Sequence, residues 1–150
     1  MYVDEVGMEQ YVYREYARAP HGLRVEGIVS GRKYKRTSVV AAQRAGKIIA
    51  PLAYEGTTNS MLFEHWFEKV LLPELGAGHV IVMDNASFHR KAELARIAKC
   101  VGCRMLYLPA YSPDLNPIEH FWAWLKSRLR DSLSSFDSFD SALMACFQFG

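Results

Sequence analysis

The sequence predicts an α/β fold, a mixed sheet with antiparallel first strands, parallel later strands and helices on both faces. Three observations predict it. β-prone runs fill the early chain around a glycine-bearing turn, the hydrophobic period becomes helical after Gly56, and two short apolar runs then alternate with helical stretches.

The elements follow in order. MYVDEVGM reads as a strand, because Tyr2, Val3 and Val6 favour extended backbone and no helical stripe is available. From 11 to 36, Pro20, Gly22, Gly27 and Gly31 interrupt any period, which predicts a short second strand or bend and then a basic loop. TSVVAAQRAGKIIAPLAY gives two β-prone runs about Arg44-Ala45-Gly46, a hairpin. In GTTNSMLFEHWFEKVLLPEL, Leu62, Phe63, Trp66, Phe67 and Val70 share one helical face, Thr and Asn precede them as caps, and Pro73 marks the stop. HVIVM is a strand buried on both faces, ending at Asp84-Asn85. A second helix from about Arg90 carries Leu94, Ile97, Ala98 and Val101, with Gly102 placed for a left-handed cap. CRMLYL is another strand of the buried kind. A third helix runs from about Pro117 to Arg130, and a last one carries Phe139, Leu143 and Phe147.

At 150 residues this is one domain, spanning 1–150. Half the residues are hydrophobic and 23% are charged, without repeats, which excludes a disordered or fibrous chain. No apolar run is long enough to cross a membrane, and no basic segment followed by an apolar core opens the chain, so no membrane partner and a cytoplasmic location are expected. Cys100, Cys103 and Cys146 read as reduced thiols; Cys100-Val-Gly-Cys103 lacks the second pair or histidine duo that a zinc site needs. A net charge of +2 says little by itself. Clustering says more, and GRKYKR brings Arg32, Lys33, Lys35 and Arg36 together as a patch for phosphate.

Three carboxylates stand out by position: Asp4 inside the first strand, Asp84 ending the apolar strand HVIVM, and Glu119 opening the third helix. In mixed sheets chemistry collects at the carboxyl ends of parallel strands. Buried carboxylates brought together repel one another and raise one another's pKa, a conflict that a divalent cation resolves. Oxygen ligands suit Mg²⁺ or Mn²⁺, and two ions about 3.5–4 Å apart stabilise both the attacking and the leaving oxygen of a phosphodiester. At 100° per residue, Ile118, Phe121, Trp122, Leu125 and Leu129 form the core stripe of the third helix, whereas Glu119, Lys126 and Arg130 share a separate stripe near about 100°. Taken alone, Glu119 also suits the helix dipole. Pro113 and Pro117 stiffen the approach, with Asn116 expected as the helix N-cap. Trp66 and Trp122 read as core, and Trp124 lies off the stripe.

YVDE at 2–5, VIVMDNASFH at 80–89 and LPAYSPDLNPIEHFWAWLK at 108–126 together resemble the signature blocks of DDE transposases, of the mariner-type superfamily and its bacterial insertion-sequence relatives. Thirty-four residues separate Asp84 from Glu119, a spacing characteristic of that group. The resemblance implies a ribonuclease-H-like fold and a DDE superfamily endonuclease in which Asp4, Asp84 and Glu119 are the catalytic metal ligands for two Mg²⁺ or Mn²⁺ ions. It implies nicking of transposon ends by water, then joining of the 3′-hydroxyl to target DNA. Asn85, His89, Asn116, Lys126 and Arg130 are expected to support the ligands or face DNA, against helix capping for Asn85 and an exposed imidazole for His89. Expected partners are DNA, both transposon ends and target, and a second copy of the chain. Family members carry an N-terminal helix-turn-helix region, absent before Asp4, so a separately encoded helix-turn-helix half is a further expected partner. The expected place is the nucleoid of a bacterial cytoplasm. Two alternatives are an inactive or split-gene remnant acting as a binding module, and a ribonuclease-H-like nuclease acting on RNA or hybrids.

Overall fold

The computed structural model describes residues 1–9 and 35–149. The expected second strand or bend, and the Arg32 and Lys33 part of the basic run, lie outside these residues. Strands β1 (Tyr2–Glu9), β2 (Arg36–Arg44), β3 (Lys47–Glu55), β4 (Val80–Met83) and β5 (Arg104–Tyr107) form one 5-stranded sheet in the order β3-β2-β1-β4-β5. The first three are antiparallel, and β1, β4 and β5 run parallel, as the sequence predicts.

Helices cover both faces, and the alternation of each strand decides which side chain goes where. Val3, Val40, Ala42, Ile81 and Met83 pack beneath α1 (Ser60–Trp66), its continuation to Glu74, and α2 (Lys91–Cys100), against Phe63, Trp66, Phe67, Leu71, Leu94, Ile97 and Ala98. On the other face Val6, Met8, Val39 and Ala41 meet α3 (Ile118–Ser132) and α4 (Phe139–Phe149) through Ile118, Trp122, Leu125, Leu129, Ala142 and Leu143. Thus β2, sandwiched between both layers, has no exposed position from Thr37 to Ala42. Of the core stripe expected for α3, Ile118, Trp122, Leu125 and Leu129 are buried and Phe121 is half-buried, and Trp124 is exposed.

The hairpin turns through Ala45 and Gly46, both at positive φ (50° and 80°), which matches the twist of the strands it joins. In the pairing of β2 with β3 the register slips between Val40 and Ala42, a bulge that sets Ala50 at φ 52° beside Pro51. Proline is tolerated there because β3 is an edge strand. The Ala50 carbonyl accepts the Trp66 indole N–H at 2.8 Å, which ties the bulge to α1.

Three expectations are corrected. Val70, expected on the apolar face of the first helix, is exposed, because Phe67–Leu71 forms a π turn, with Leu72 N–H bonded to the Phe67 carbonyl. The wider turn advances the phase so that Leu71 and Leu72 point inward instead. Val101, expected on the buried face of α2, is exposed as its C-cap. There the Cys103 amide bonds to the Ala98 carbonyl (2.9 Å) and the Gly102 amide to that of Lys99 (3.0 Å), a Schellman closure that needs Gly102 at φ 76°. Finally, β5 is an edge strand that alternates exposed and half-buried, with Leu106 53% exposed, rather than buried on both faces. Among the described residues no helix is long and apolar enough to cross a membrane.

Candidate active site

The pairing of β1 with β4 places the first two carboxylates. Val3 lies opposite Met83 in the parallel ladder, so Asp4 and Asp84 follow side by side where the pairing stops. Asp4 points to the face covered by α3, whereas Asp84, just past the end of its strand, brings Oδ1 within 3.4 Å of His89 Nε2. Asp84 is held by its turn, with Oδ1 accepting the Ala86 amide at 3.3 Å.

The third carboxylate arrives by the prolyl segment. Tyr111 takes a left-handed φ of 56° and is fully exposed, Pro113–Leu115 forms one 3-10 turn, and Asn116 is extended before Pro117. Helix α3 then begins, with the Glu119 amide bonded to the Asn116 carbonyl at 3.0 Å. The sequence leads one to expect a cap from the Asn116 side chain, and it does not cap. Instead its amide group donates to Asp4 Oδ2 at 3.1 Å, and Pro117 occupies the N-cap position without a side-chain bond.

Asp4, Asp84 and Glu119 line one cleft of about 460 Å³, together with Asn85, Ala86, Ser87, Asn116 and the segment from Leu108 to Pro113. Asp4 forms its floor at 7% exposure. Burial above all, then the charges of Glu119 and Asp84, push its pKa up to about 7, against the opposing hydrogen bonds of the Glu5 amide and the Trp122 indole. Asp84 is half-buried and shifts the other way, held below its ordinary value chiefly by the His89 imidazole, then by the Ala86 amide and the charge of Lys91. Among the described residues no lysine or arginine pairs with Asp4 or Glu119. A floor of mutually repelling, hard oxygen donors without a protein cation is a donor set that fits a divalent metal ion. Among the described residues no three ligating side chains are close enough to hold an ion as they stand, so the carboxylates face the cleft without being gathered.

The other expected residues divide. Asn85 is exposed in the cleft wall, where its Oδ1 accepts the Lys91 ammonium rather than capping a helix. His89 is buried, not exposed: its ring packs between Phe63 and Phe88, with Nε2 3.4 Å from Asp84 Oδ1 and 3.8 Å from Glu5 Oε2. Neither ring nitrogen has a well-aligned hydrogen bond. Lys126 and Arg130 are exposed on α3 and outside the cleft lining. Lys35 is exposed and pairs with Glu55 at 3.1 Å. The Arg36 guanidinium lies over Gly7, leaving no room for a Cβ, on the face of the sheet opposite Asp4.

Sequence reasoning passed over two residues at this centre. Glu5, next to Asp4 but on the other face, is half-buried with its Oε2 shut from solvent and without a hydrogen bond, and burial followed by the charges of Asp4 and Asp84 pushes it up to about 8. Strand alternation was the signal: two consecutive carboxylates in an apolar strand put one in each layer. Trp122 reads from the sequence only as core, yet its indole N–H donates to Asp4 Oδ2 at 3.2 Å.

This sheet order, with acidic side chains lining one cleft where its central parallel strands end, defines a ribonuclease-H-like domain. The profile of the DDE superfamily endonuclease family matches residues 1–141, and the chain belongs to that family. It is 34% identical over 79 residues to the Transposable element Tcb1 transposase of Caenorhabditis briggsae, covering 50% of this chain and 29% of that protein. The chain spans only 29% and 33% of the lengths of the curated relatives it matches. Among solved structures, the Mos1 transposase paired-end complex with left transposon end superposes with a TM-score of 0.71 at 16% identity, over 99% of this chain and 46% of that one. The Mos1 mariner paired end complex with Mn gives a TM-score of 0.63 at 18% identity, again over 99% and 46%.

Proposed function

We propose that this chain is the catalytic domain of a DNA transposase of Tc1/mariner type, cutting phosphodiester bonds at transposon ends and joining the resulting 3′-hydroxyl to target DNA. The observation that carries the reading is the register of β1 on β4, which sets Asp4 beside Asp84 in one cleft with Glu119. Asp4, Asp84 and Glu119 would hold the divalent cations, two Mg²⁺ or Mn²⁺, which when bound supply Lewis-acid activation of the attacking oxygen and charge neutralisation at the leaving one. A neighbour in fold, the Mos1 mariner paired end complex with Mn, lends support to that choice of ion.

The chain's own residues do the rest. Asp4 is held rigidly on the floor, while Asp84 and Glu119, more exposed, close on the reacting phosphate. The stiff segment from Leu108 to Pro113 walls the cleft and keeps a scissile strand in register with the carboxylates. Lys91 beside Asn85, Lys126 and Arg130 along α3, and the run Arg32, Lys33, Lys35 and Arg36 supply cations for the phosphate backbone. In the first step water attacks phosphorus, the P–O3′ bond breaks and the 3′-oxygen leaves with a proton. In the second that 3′-hydroxyl attacks a target phosphorus, giving up its proton as the new P–O3′ bond forms, the target's own P–O3′ bond breaks, and the target 3′-oxygen leaves with a proton. Reading the transposon ends falls to a helix-turn-helix region, and two copies of the chain bring two ends together on bacterial nucleoid DNA.

A nicking assay tests this: supercoiled plasmid carrying an element end, with Mg²⁺ or Mn²⁺ and the helix-turn-helix partner. Wild type is expected to nick, and Asp84→Ala and Glu119→Ala to lose about 10³-fold or more, the several kcal/mol that metal catalysis supplies. Absence of metal-dependent cleavage by wild type identifies an inactive binding remnant. Preference for RNA–DNA hybrid over duplex DNA identifies a ribonuclease-H-like nuclease instead.

A further inference from the structure

One short segment both carries Glu119 and grips Asp4. Asp4 Oδ2 accepts the Asn116 side-chain amide at 3.1 Å and the Trp122 indole N–H at 3.2 Å, and these two donors stand three residues before and three residues after Glu119. Three residues is close to one helical turn, so Trp122 lies on α3 just below Glu119 and points into the sheet. Both bonds to Oδ2 are fully buried. The other oxygen, Oδ1, accepts the Glu5 amide at 2.9 Å in a partly buried bond.

A buried indole N–H needs an acceptor, and Trp66 shows the ordinary solution, a backbone carbonyl. Trp122 takes a carboxylate instead. Desolvating a carboxylate is costly, and two side-chain donors on one of its oxygens offset part of that cost while fixing the direction in which the carboxylate points. Ligating carboxylates are typically oriented in this way by outer partners.

Resting on the proposed function, we infer that Asn116 and Trp122 are positioning residues: they clamp Asp4 Oδ2 to α3, leave Oδ1 for a divalent cation, and present Asp4 and Glu119 to it as one rigid unit. The seven residues from Asn116 to Trp122 then act as a cassette that sets the distance between two carboxylates from opposite ends of the chain.

The test reads metal binding by the intact chain rather than turnover. Mn²⁺ alone is titrated calorimetrically into wild type, Trp122→Phe, Asn116→Ala, Asp84→Ala and Glu119→Ala, with the melting temperature of each ion-free protein as a control for folding. Trp122→Phe keeps the aromatic packing and removes only the N–H. It is expected to weaken Mn²⁺ binding about tenfold, in the range known for outer partners of metal ligands, with little change in melting temperature. Asn116→Ala should weaken it similarly. In ¹⁵N-indole-labelled wild type, Mg²⁺ should move the Trp122 resonance saturably and leave those of Trp66 and Trp124 in place. That measurement needs no variant and decides the matter if Trp122→Phe fails to fold. An affinity for Trp122→Phe within about twofold of wild type, or an unmoved Trp122 resonance while wild type binds metal, overturns the inference and leaves the site standing. Failure of wild type to bind Mn²⁺, or unchanged binding by Asp84→Ala and Glu119→Ala, overturns the site and the inference with it.

Discussion

Asp4 and Glu5 are consecutive carboxylates in one strand, and the sheet separates them into two different environments. Asp4 faces α3, receives three hydrogen bonds and opens onto the cleft. Glu5 faces the α1 and α2 layer, near the His89 ring, with Oε2 unpartnered. Asp4 is buried and Glu5 largely so, and desolvation raises both pKa values well above that of an ordinary carboxylate. Burial and a raised pKa therefore do not separate the proposed ligand from a bystander here. Donors that orient the carboxylate, and an opening toward substrate, do.

The largest expected effect breaks the pair apart. Asp4→Asn should lose about 10³-fold or more of any metal-dependent nicking, because a neutral amide cannot replace a metal-ligating carboxylate. The same change should stabilise the ion-free protein at neutral pH, since it removes a charge that burial, Glu119 and Asp84 all disfavour. Urea unfolding at pH 7.5 without metal checks the second half; a loss of stability would mean that the donors of Asp4 outweigh its desolvation.

Glu5→Gln should show the stabilising half without the catalytic one. The folded-state pKa of Glu5 is raised, from 4.5 to about 8, so the folded protein keeps a proton that the unfolded chain has released. Its contribution to stability is full below pH 4.5 and is lost as pH rises through about 8. Unfolding free energy of the ion-free wild type should thus fall across that window. Glu5→Gln should flatten the fall by up to about 5 kcal/mol, with nicking kept within about tenfold. A flat wild-type profile would sink this. Smaller again, Gly102→Ala should cost about 1 kcal/mol or more, from the left-handed φ of 76° and a Cβ 2.9 Å from that of Ala77, without altering Mn²⁺ affinity. Chemical denaturation beside metal titration separates the two effects.

Much of this was legible in the sequence because it is local and periodic. The hairpin at Ala45-Gly46, the apolar strand before Asp84, the Gly102 cap and the α3 stripe each follow from a few neighbouring residues. What escaped depends on partners far along the chain. The π turn at Phe67–Leu71 moves Val70 out of the core, and no residue there announces it. The edge position of β5 is a property of sheet order, not of CRMLYL. Asn116 looks like a helix cap because the residue before Pro117 usually would be one, but its true partner, Asp4, lies 112 residues away. Burial of His89 likewise arises from packing against Phe63.

The smallest expected effect concerns Lys35, which sits far from both carboxylates and tests whether the basic run is a surface ion pair or a DNA contact. Its ammonium pairs with Glu55 across exposed ends of β2 and β3, with side chains 69% and 68% exposed. Such a pair contributes little to folding, so Lys35→Gln should change stability by less than about 0.5 kcal/mol. If Lys35 instead leaves Glu55 for a phosphate when DNA binds, one released counterion is lost with it. The slope of log affinity against log salt should then shrink by about 0.9, uniformly across DNA sequences. Glu55→Gln distinguishes the roles: freeing Lys35 from its partner should tighten binding at low salt if Lys35 meets phosphate, and leave binding unchanged if the pair is only a surface feature of the hairpin.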